Sequence, residues 1–340
     1  MLRNAASFLG LCIAVTASGV VAPAVAQAPA STSGDWVVPR TPAGHPDLQG
    51  NWSSATITPL QRPEGQDLVL SWEEVEVREG RAANRLERVS RPSDPDRGAP
   101  RAGRGVGGYN GIYIDAGDVV AKVYGEPRSS LITHPADGRT PELTPAARAR
   151  RAERRESRSQ FGQYDHPELR PLGERCLVSF GSNAGPPMLP NGFYNNNYTI
   201  VQTPDHVVIM AEMVHDARII RIGDGPRLPE HIRPWMGDSW GHWEGDVLVV
   251  ETTNIHPLHR YSGEEMKVIE RFSRMAEDAV LYEFTIDDPS TYTEPWGGQV
   301  PMMALNDRLY EYACHEGNYA LSNILSGARY QERLEAENQN

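Results

Sequence analysis

A histidine between two tryptophans is the most distinctive group in the sequence that could take part in chemistry. His242 lies between Trp240 and Trp243 in the stretch MGDSWGHWEGDVLVVETTN (236–254), shortly after Asp238. Histidine exchanges protons near neutral pH, and indole rings offer flat surfaces on which a ligand ring can stack. The stretch therefore predicts an acid–base group at His242 with Asp238 nearby, although plain packing of an aromatic segment explains the pattern equally well.

A second group of polar residues falls where one predicted strand ends and the next begins. It contains Glu212, His215, Asp216 and Arg218. A carboxylate beside a histidine fixes its tautomer, so the pair His215 and Asp216 is a candidate proton shuttle at a barrel mouth, with Arg218 as a substrate-binding residue. Polar residues are also expected at any turn, and that explanation has equal weight.

Several predicted strands carry a single glutamate among apolar or aromatic neighbours, namely Glu212, Glu251, Glu270, Glu283 and Glu311. Side chains alternate between the two faces of a strand, so Glu270 shares its face with Val268 and Phe272. This makes Glu270 the best candidate for an inward carboxylate, which could act as an acid or base in an apolar interior. A ladder of solvated charges on the outer face is the ordinary alternative for each glutamate.

The elements that would position these groups read as short β-strands. From Arg175 onward the apolar residues recur at every second position, which is typical of strands. The eight candidates are Tyr198–Thr203, His206–Val214, Ala217–Ile222, Val247–Thr253, Lys267–Arg274, Ala279–Ile286, Gln299–Leu305 and Arg308–Cys314. Short turns separate most of them, and Trp240 and Trp243 precede a hairpin turn at Glu244-Gly245-Asp246. We therefore expect a mainly β protein, an antiparallel eight-stranded, barrel-like (calycin-like) meander that could hold one small ligand.

The residues before this β-rich part predict a signal for export, followed by an arm and helices that surround the barrel. Arg3 precedes an apolar run that ends in Ala24-Val25-Ala26, so residues 1–26 are a predicted signal peptide, with a membrane anchor as the alternative. Residues 27–70 read as an extended arm, and residues 71–172 as helical and loop-rich decoration of a barrel-like domain at 173–330.

Two helices are expected in the decorating part. Ser71-Trp72-Glu73-Glu74 forms a capping box for a helix that ends near Ser90. A second helix begins at Thr144-Pro145 and is almost wholly charged along ARARRAERRESR. Such a helix is usually a solvated face, but its arginines could instead dock an acidic surface.

Two cysteines remain once the predicted signal peptide is removed. Cys176 and Cys314 form an even pair in an exported chain, which favours one disulfide, with two buried free thiols as the alternative. The predicted location is therefore the periplasm or the exterior of the cell.

Composition excludes several partners and cofactors. The net charge is -12 and only Lys122 and Lys267 are lysines, which argues against nucleic acid or an anionic membrane as the main partner. After signal cleavage no apolar run has spanning length. Gly103-x-Gly105-x-x-Gly108 matches a dinucleotide fingerprint but follows no strand and opens no helix, and His256-x-x-His259 is interrupted by a proline. We expect neither a cofactor nor a metal.

Several stretches carry a family resemblance. They are RSSLITHPADGRTPELTP (128–145), GERC (173–176), MGDSWGHWEGDVLVVETTN (236–254), LYEFTIDDPSTYTEPW (281–296) and YEYACHEGN (310–318). They resemble a large family of exported bacterial proteins over nearly the whole mature chain. The resemblance implies export and the extent of the domain, and it implies no catalytic residue.

These observations together predict an exported enzyme without a cofactor. It would bind a small aromatic or apolar molecule and transform it by acid–base chemistry, as a lyase, in an elimination or in an isomerisation. The predicted catalytic residues are His242, His215, Glu270, Asp238 and Asp216, and the predicted substrate-binding residues are Trp240, Trp243, Tyr282, Tyr310 and Arg218. This prediction requires Glu270 and His242 to project to the same face of the sheet.

Two other classes of protein fit the same sequence. The first is a non-catalytic, periplasmic small-ligand-binding protein, whose inward carboxylates would be few and paired with Arg218 or Arg271. The second is an envelope interaction module that docks a partner through the charged helix at 144–158 and has no cavity.

Overall fold

The computed structural model describes residues 36–92, 96, 114–181, 183–259, 261, 263 and 265–338. The predicted signal peptide and the glycines at 103, 105 and 108 lie outside the described residues.

The described residues form twelve strands and three α-helices. In chain order they are β1 (Gly50–Ser53), α1 (Trp72–Ser90), β2 (Lys122–Val123), β3 (Glu126–Pro127), β4 (Ile132–His134), α2 (Pro145–Ser159), β5 (Asn197–Gln202), β6 (His206–Ala211), β7 (Ala217–Ile222), β8 (Asp238–Glu244), β9 (Val247–Thr253), β10 (Lys267–Ala276), β11 (Ala279–Asp287), β12 (Trp296–Ala304) and α3 (Ala320–Asn338). Short 3-10 turns lie at Pro167–Leu169 and Met213–His215.

Nine of these strands close into a barrel. Strands β5 to β12 follow one another around the ring, and β1 pairs with both β5 and β12 and so completes it. Strand β4 pairs with β12 outside the ring, while β2 and β3 form a separate two-stranded sheet. The mainly β, barrel-like prediction is confirmed.

The sheet departs from a pure antiparallel meander at one place. Strands β7 and β8 are parallel, with Arg221 opposite Trp240 and Ile222 opposite Gly241. Parallel neighbours require a crossover, and residues 223–237 provide it. The hairpin that follows has the predicted turn, in which Gly245 takes the positive φ (59°) that a two-residue turn requires.

The strand predicted at Arg308–Cys314 is wrong. Residues 308–314 have no strand pairing, because β11 occupies one edge of β12 and β1 with β4 occupies the other. The ninth strand is β1 (Gly50–Ser53), which lies within the predicted N-terminal arm and so makes part of that arm a strand of the barrel. The prediction also missed α3, a helix in which no residue is buried.

Loops close both ends of the barrel. At one end Leu48 and Trp52 of the N-terminal arm are buried, and the Leu48 N–H donates to Gln202 Oε1 at the end of β5. At the other end, near the start of β5, Met188 and Leu189 are each 1% exposed and belong to the barrel core. We call residues 183–191 the plug loop.

Helices α1 and α2 begin at the residues that the sequence predicts. Ser71 and Glu74 form the capping box of α1, and the Thr144 hydroxyl accepts from the backbone N–H of Ala147 at the start of α2. None of the described helices has the length and apolar character that a membrane crossing requires.

A disulfide joins Cys176 to Cys314 across 138 residues of sequence, as predicted. It ties the chain before the plug loop to the irregular segment that leaves the barrel after β12. It therefore fixes, at one point, two stretches that are not held by strand pairing.

Replacing both cysteines with serine is expected to lower the free energy of unfolding by about 5 kcal/mol, because a long closed loop restricts the unfolded chain in the chain-entropy model. Guanidinium unfolding of the double variant and of the oxidised wild type measures this difference. A change below about 1 kcal/mol would mean that the bridge contributes little to stability.

Candidate functional site

A buried ion pair lies inside the barrel. Glu270 on β10 shares the inner face with Val268 and Phe272 and is 0% exposed. Arg218 on β7 reaches it from the far side of the interior, where Nη1 donates to Glu270 Oε2 at 2.5 Å and Nη2 donates to Oε1 at 3.0 Å. The two parallel contacts are the geometry in which a guanidinium binds a carboxylate most strongly.

Tyr282 extends this pair toward the plug loop. Its hydroxyl donates to Glu270 Oε1 at 2.8 Å and accepts the Met188 backbone N–H at 2.9 Å. Nearby on β5, the Tyr198 hydroxyl donates to the Asn183 carbonyl at 2.7 Å. We call Arg218, Glu270 and Tyr282 the central cluster.

The electrostatics of the cluster follow from burial and from mutual contact. Burial raises the pKa of Tyr282 well above its usual value, the charge of Glu270 raises it further, and Arg218 opposes the shift. Burial alone would lower the pKa of Arg218, but the charge and hydrogen bonds of Glu270 outweigh it and raise that pKa. The phenol therefore stays protonated and the guanidinium stays charged.

One polar atom of the cluster has no protein partner. Arg218 Nε is buried and meets no acceptor among the described residues. Buried donors in folded proteins are ordinarily hydrogen-bonded to protein or to water, so Arg218 Nε is the donor of the cluster that no described protein group satisfies.

Aromatic rings surround the cluster. Tyr282 lies 5.0 Å from Phe272 and 6.1 Å from Phe284 between ring centroids, and Phe284 lies 5.8 Å from Trp296 in an edge-to-face contact. All four are buried, so the interior combines one polar centre with a mostly aromatic wall.

His242 lies on the opposite face of the sheet. Gly241 points inward, and the His242 side chain is 60% exposed and contacts Glu244 Oε1 at 3.2 Å. Hydrogen bonds from Arg271 and then from His242 lower the pKa of Glu244. The predicted acid–base pair of His242 and Glu270 is wrong, because the two side chains are separated by the barrel wall.

The predicted aromatic wall is not assembled either. Trp243 stacks on His45 at 4.7 Å, while Trp240 carries the Arg221 guanidinium over its ring at 4.2 Å. Tyr310 is 73% exposed outside the barrel. Of the predicted binding aromatics, Tyr282 lies in the interior.

Asp238 has partners that explain its burial. Its Oδ1 pairs with Arg221, and its Oδ2 accepts the Leu228 N–H at 2.8 Å. Both partners belong to the end of β7 or to the crossover, so Asp238 anchors the parallel connection. These contacts give Asp238 a structural role, and the catalytic role predicted for it stays a prediction.

The second predicted constellation is divided by the fold. Glu212 accepts from the Asn197 side chain at 2.7 Å and from the Tyr310 N–H at 3.0 Å, so it fixes the segment after β12. Asp216 is half-buried and immediately precedes β7. The His215 side chain lies outside what the structure describes, and its backbone follows Val214, whose φ of 64° is unusual for a β-branched residue.

Further features lie outside the barrel interior. A groove of about 470 Å³ lies beside the disulfide and is lined by residues 173–174, 311–314, 316–318, 320, 321 and 324. Among the described residues no three histidine, cysteine, aspartate or glutamate side chains are grouped so that they could hold a metal. No family model, curated protein or solved structure matches this chain.

The sequence suggests that the polar, proline-rich loop at 181–198 is either a lid over a cavity or a flexible surface loop, but it does not show which atom of the loop contacts the central cluster. The alternation along β10 and β11 places Glu270 and Tyr282 inward, but no pattern shows that the Met188 N–H binds Tyr282. The signal present was the sequence NAGPPMLPN (183–191), an apolar pair inside a polar, proline-rich loop.

Removing one partner of the ion pair is expected to cost far more than removing both. Arg218→Met or Glu270→Leu leaves a buried charge unpaired and should lower the free energy of unfolding by about 3–5 kcal/mol. The double variant should be more stable than either single one. Denaturant unfolding of the four proteins measures this coupling, with outward-facing Arg271→Met as the control, and strictly additive effects would contradict it.

The buried phenols should make stability fall at alkaline pH. Burial raises the pKa of Tyr198, whereas an unfolded tyrosine ionises near pH about 10. The stabilisation is complete below that pH and is lost as the pH rises toward the folded pKa. Tyr198→Phe is expected to reduce the decline above pH about 10 by about 1.4 kcal/mol per pH unit. Unfolding measured between pH 9 and 12, with exposed Tyr330→Phe as the control, tests this, and an unchanged slope would contradict it.

Proposed function

We propose that this protein binds a small, mostly apolar organic molecule in its barrel interior without changing it chemically. The observation that carries the proposal is the central cluster. Glu270, the carboxylate at the centre of the interior, is engaged by two hydrogen bonds from Arg218 and one from Tyr282. A proton-transfer group needs a free position toward its substrate, whereas an orienting group does not.

The surroundings of the cluster support binding. Ligand sites are mostly apolar and aromatic with a few polar groups that fix orientation. Here Phe272, Phe284 and Trp296 supply the apolar wall, and the orphaned Arg218 Nε supplies a donor that an acceptor on the ligand would satisfy.

In this proposal the ligand enters the barrel interior by displacing the plug loop. Met188 and Leu189 occupy the mouth, and the Met188 N–H is the backbone group that binds the cluster. A ligand that displaces them must replace this N–H at the Tyr282 hydroxyl and can also accept from Arg218. A hydroxyl or a primary amide at one end of an apolar, ring-containing molecule meets both requirements.

The disulfide bears on the cellular compartment in which the protein works. Cys176 and Cys314 are joined, and structural disulfides persist in oxidising compartments. Together with the predicted signal peptide, this supports a periplasmic or secreted binding protein.

The test separates binding from catalysis. The purified protein is incubated with a library of hydroxylated aromatic and terpenoid molecules, and mass spectrometry records both what is retained and what disappears. We expect retention of unchanged ligand. New product masses would support the enzyme prediction instead.

A plug-loop variant sharpens this test. Met188→Ala with Leu189→Ala removes side chains that the ligand must displace, so a ligand bound in the barrel should gain affinity by about tenfold, because less of the protein is held in the closed state. The matched control is Val201→Ala with Ile219→Ala, two exposed apolar residues on the barrel exterior. If neither the wild type nor the plug-loop variant retains a ligand, the proposal is wrong.

A further inference from the structure

One face of α2 is directed at the protein body but is built of arginines. Ala147, Arg150, Arg151 and Arg154 have the spacing of a single helix face, and all four line a pocket of about 100 Å³. A helix face that packs on a protein is ordinarily apolar, yet in α2 only Ala147 is buried. Pro257, Gly263 and Thr291 line the pocket as well.

The three guanidinium groups are held differently. Arg150 Nη2 donates to the Ser290 carbonyl at 2.9 Å and contacts Thr291 Oγ1 at 3.4 Å, so its position is fixed. Arg151 and Arg154 make no hydrogen bond or ion pair with any other described residue. Two cations at a pocket without a carboxylate partner are notable in a chain whose net charge is -12.

Besides burial, the charge of Arg151 affects the pKa of Tyr292, which follows the pocket residue Thr291. Burial raises the pKa of Tyr292 to about 12, and the positive charge of Arg151 acts against that shift. The exposed Arg151 guanidinium is therefore near enough to Tyr292 for its charge to act there.

The residues behind the pocket are closely packed. A Cβ on Gly263 would lie 2.4 Å from both Asp288 Oδ2 and Thr291 Oγ1, so a larger residue would not fit there. Asp288 is buried behind Gly263, with Oδ1 accepting from the Ser290 hydroxyl at 2.6 Å. Among the described residues that line or back the pocket, three guanidinium groups stand against this one carboxylate.

We propose that this pocket binds a phosphate group. Arg151 and Arg154 would donate to its oxygens and the Thr291 hydroxyl would contact it, while Arg150 shapes the wall. Guanidinium groups match the oxygens of phosphate in pairs, which makes arginine the usual residue for this task. The pocket, of about 100 Å³, has room for a small anion.

The phosphate could belong to a free ion or to a lipid headgroup, since both present the same oxygens. The pocket opens beside an exposed helix, so either source can reach it. The site is separate from the barrel interior and does not rest on the function proposed above.

Calorimetric titration of the whole mature protein with inorganic phosphate, at an ionic strength fixed with sodium chloride, tests the proposal. We expect saturable binding at one site, weakened about tenfold by Arg151→Gln and by Arg154→Gln, since each removes a charge-assisted hydrogen bond. Arg155→Gln is the matched control, because it makes the same charge change on the same helix but does not line the pocket. Arg151, Arg154 and Arg155 are all exposed, so each variant should unfold at the same temperature as the wild type.

A second arm distinguishes the two sources. Flotation with phosphatidylcholine vesicles, with and without phosphatidic acid, shows whether a lipid phosphate is bound, and dependence on Arg151 and Arg154 would support the lipid source. Phosphate binding without vesicle binding would support the free ion. The proposal is overturned if neither probe binds, if nitrate displaces phosphate equally well, or if Arg155→Gln weakens binding as much as the pocket variants.

Discussion

The burial of Arg218 against Glu270 is the interaction on which the interior of this barrel depends. Taking two charges out of water costs several kcal/mol for each ion, and their attraction offsets this cost only with good geometry and further hydrogen bonds. The geometry requires β7 and β10 to face each other across a closed ring, and the further hydrogen bond comes from Tyr282 on β11. The ion pair therefore depends on closure of the barrel, on the register that brings Arg218 opposite Glu270, and on a tyrosine beside Glu270 on β11.

Closure in turn depends on parts of the chain far from the barrel's main strands. Strand β1 fills the gap between β5 and β12, and the plug loop completes the hydrogen bonding of Tyr282 from outside the sheet. The disulfide holds the base of that loop against the segment after β12. A barrel closed in this way can open at the plug loop without losing any strand pairing.

The sequence predicts those features that depend on local alternation. The inward position of Glu270 follows from Val268 and Phe272 beside it, and the hairpin turn follows from Gly245. The direction of His242 could not be obtained in this way, because Trp240 and Trp243 place an indole on each face of β8 and make the alternation ambiguous. The residues around Tyr310 also alternate between apolar and polar. They could form a strand only beside a free sheet edge, and whether an edge is free is decided by the assembled fold.

Stability alone does not account for an ion pair of this kind, and the proposed binding function would give it a role in orienting a ligand. Apolar residues of similar size at such positions are often neutral or stabilising, so stability alone does not explain a charged centre among Phe272, Phe284 and Trp296. In the proposed function, Arg218 Nε and Trp296 Nε1, two buried donors without a described partner, would favour apolar molecules that carry an acceptor, since a molecule without one leaves a buried N–H unpaired. The same logic explains why the cluster reaches the plug loop: the group that fills the mouth of the barrel must satisfy the hydroxyl of Tyr282, whether it is the Met188 N–H or a ligand.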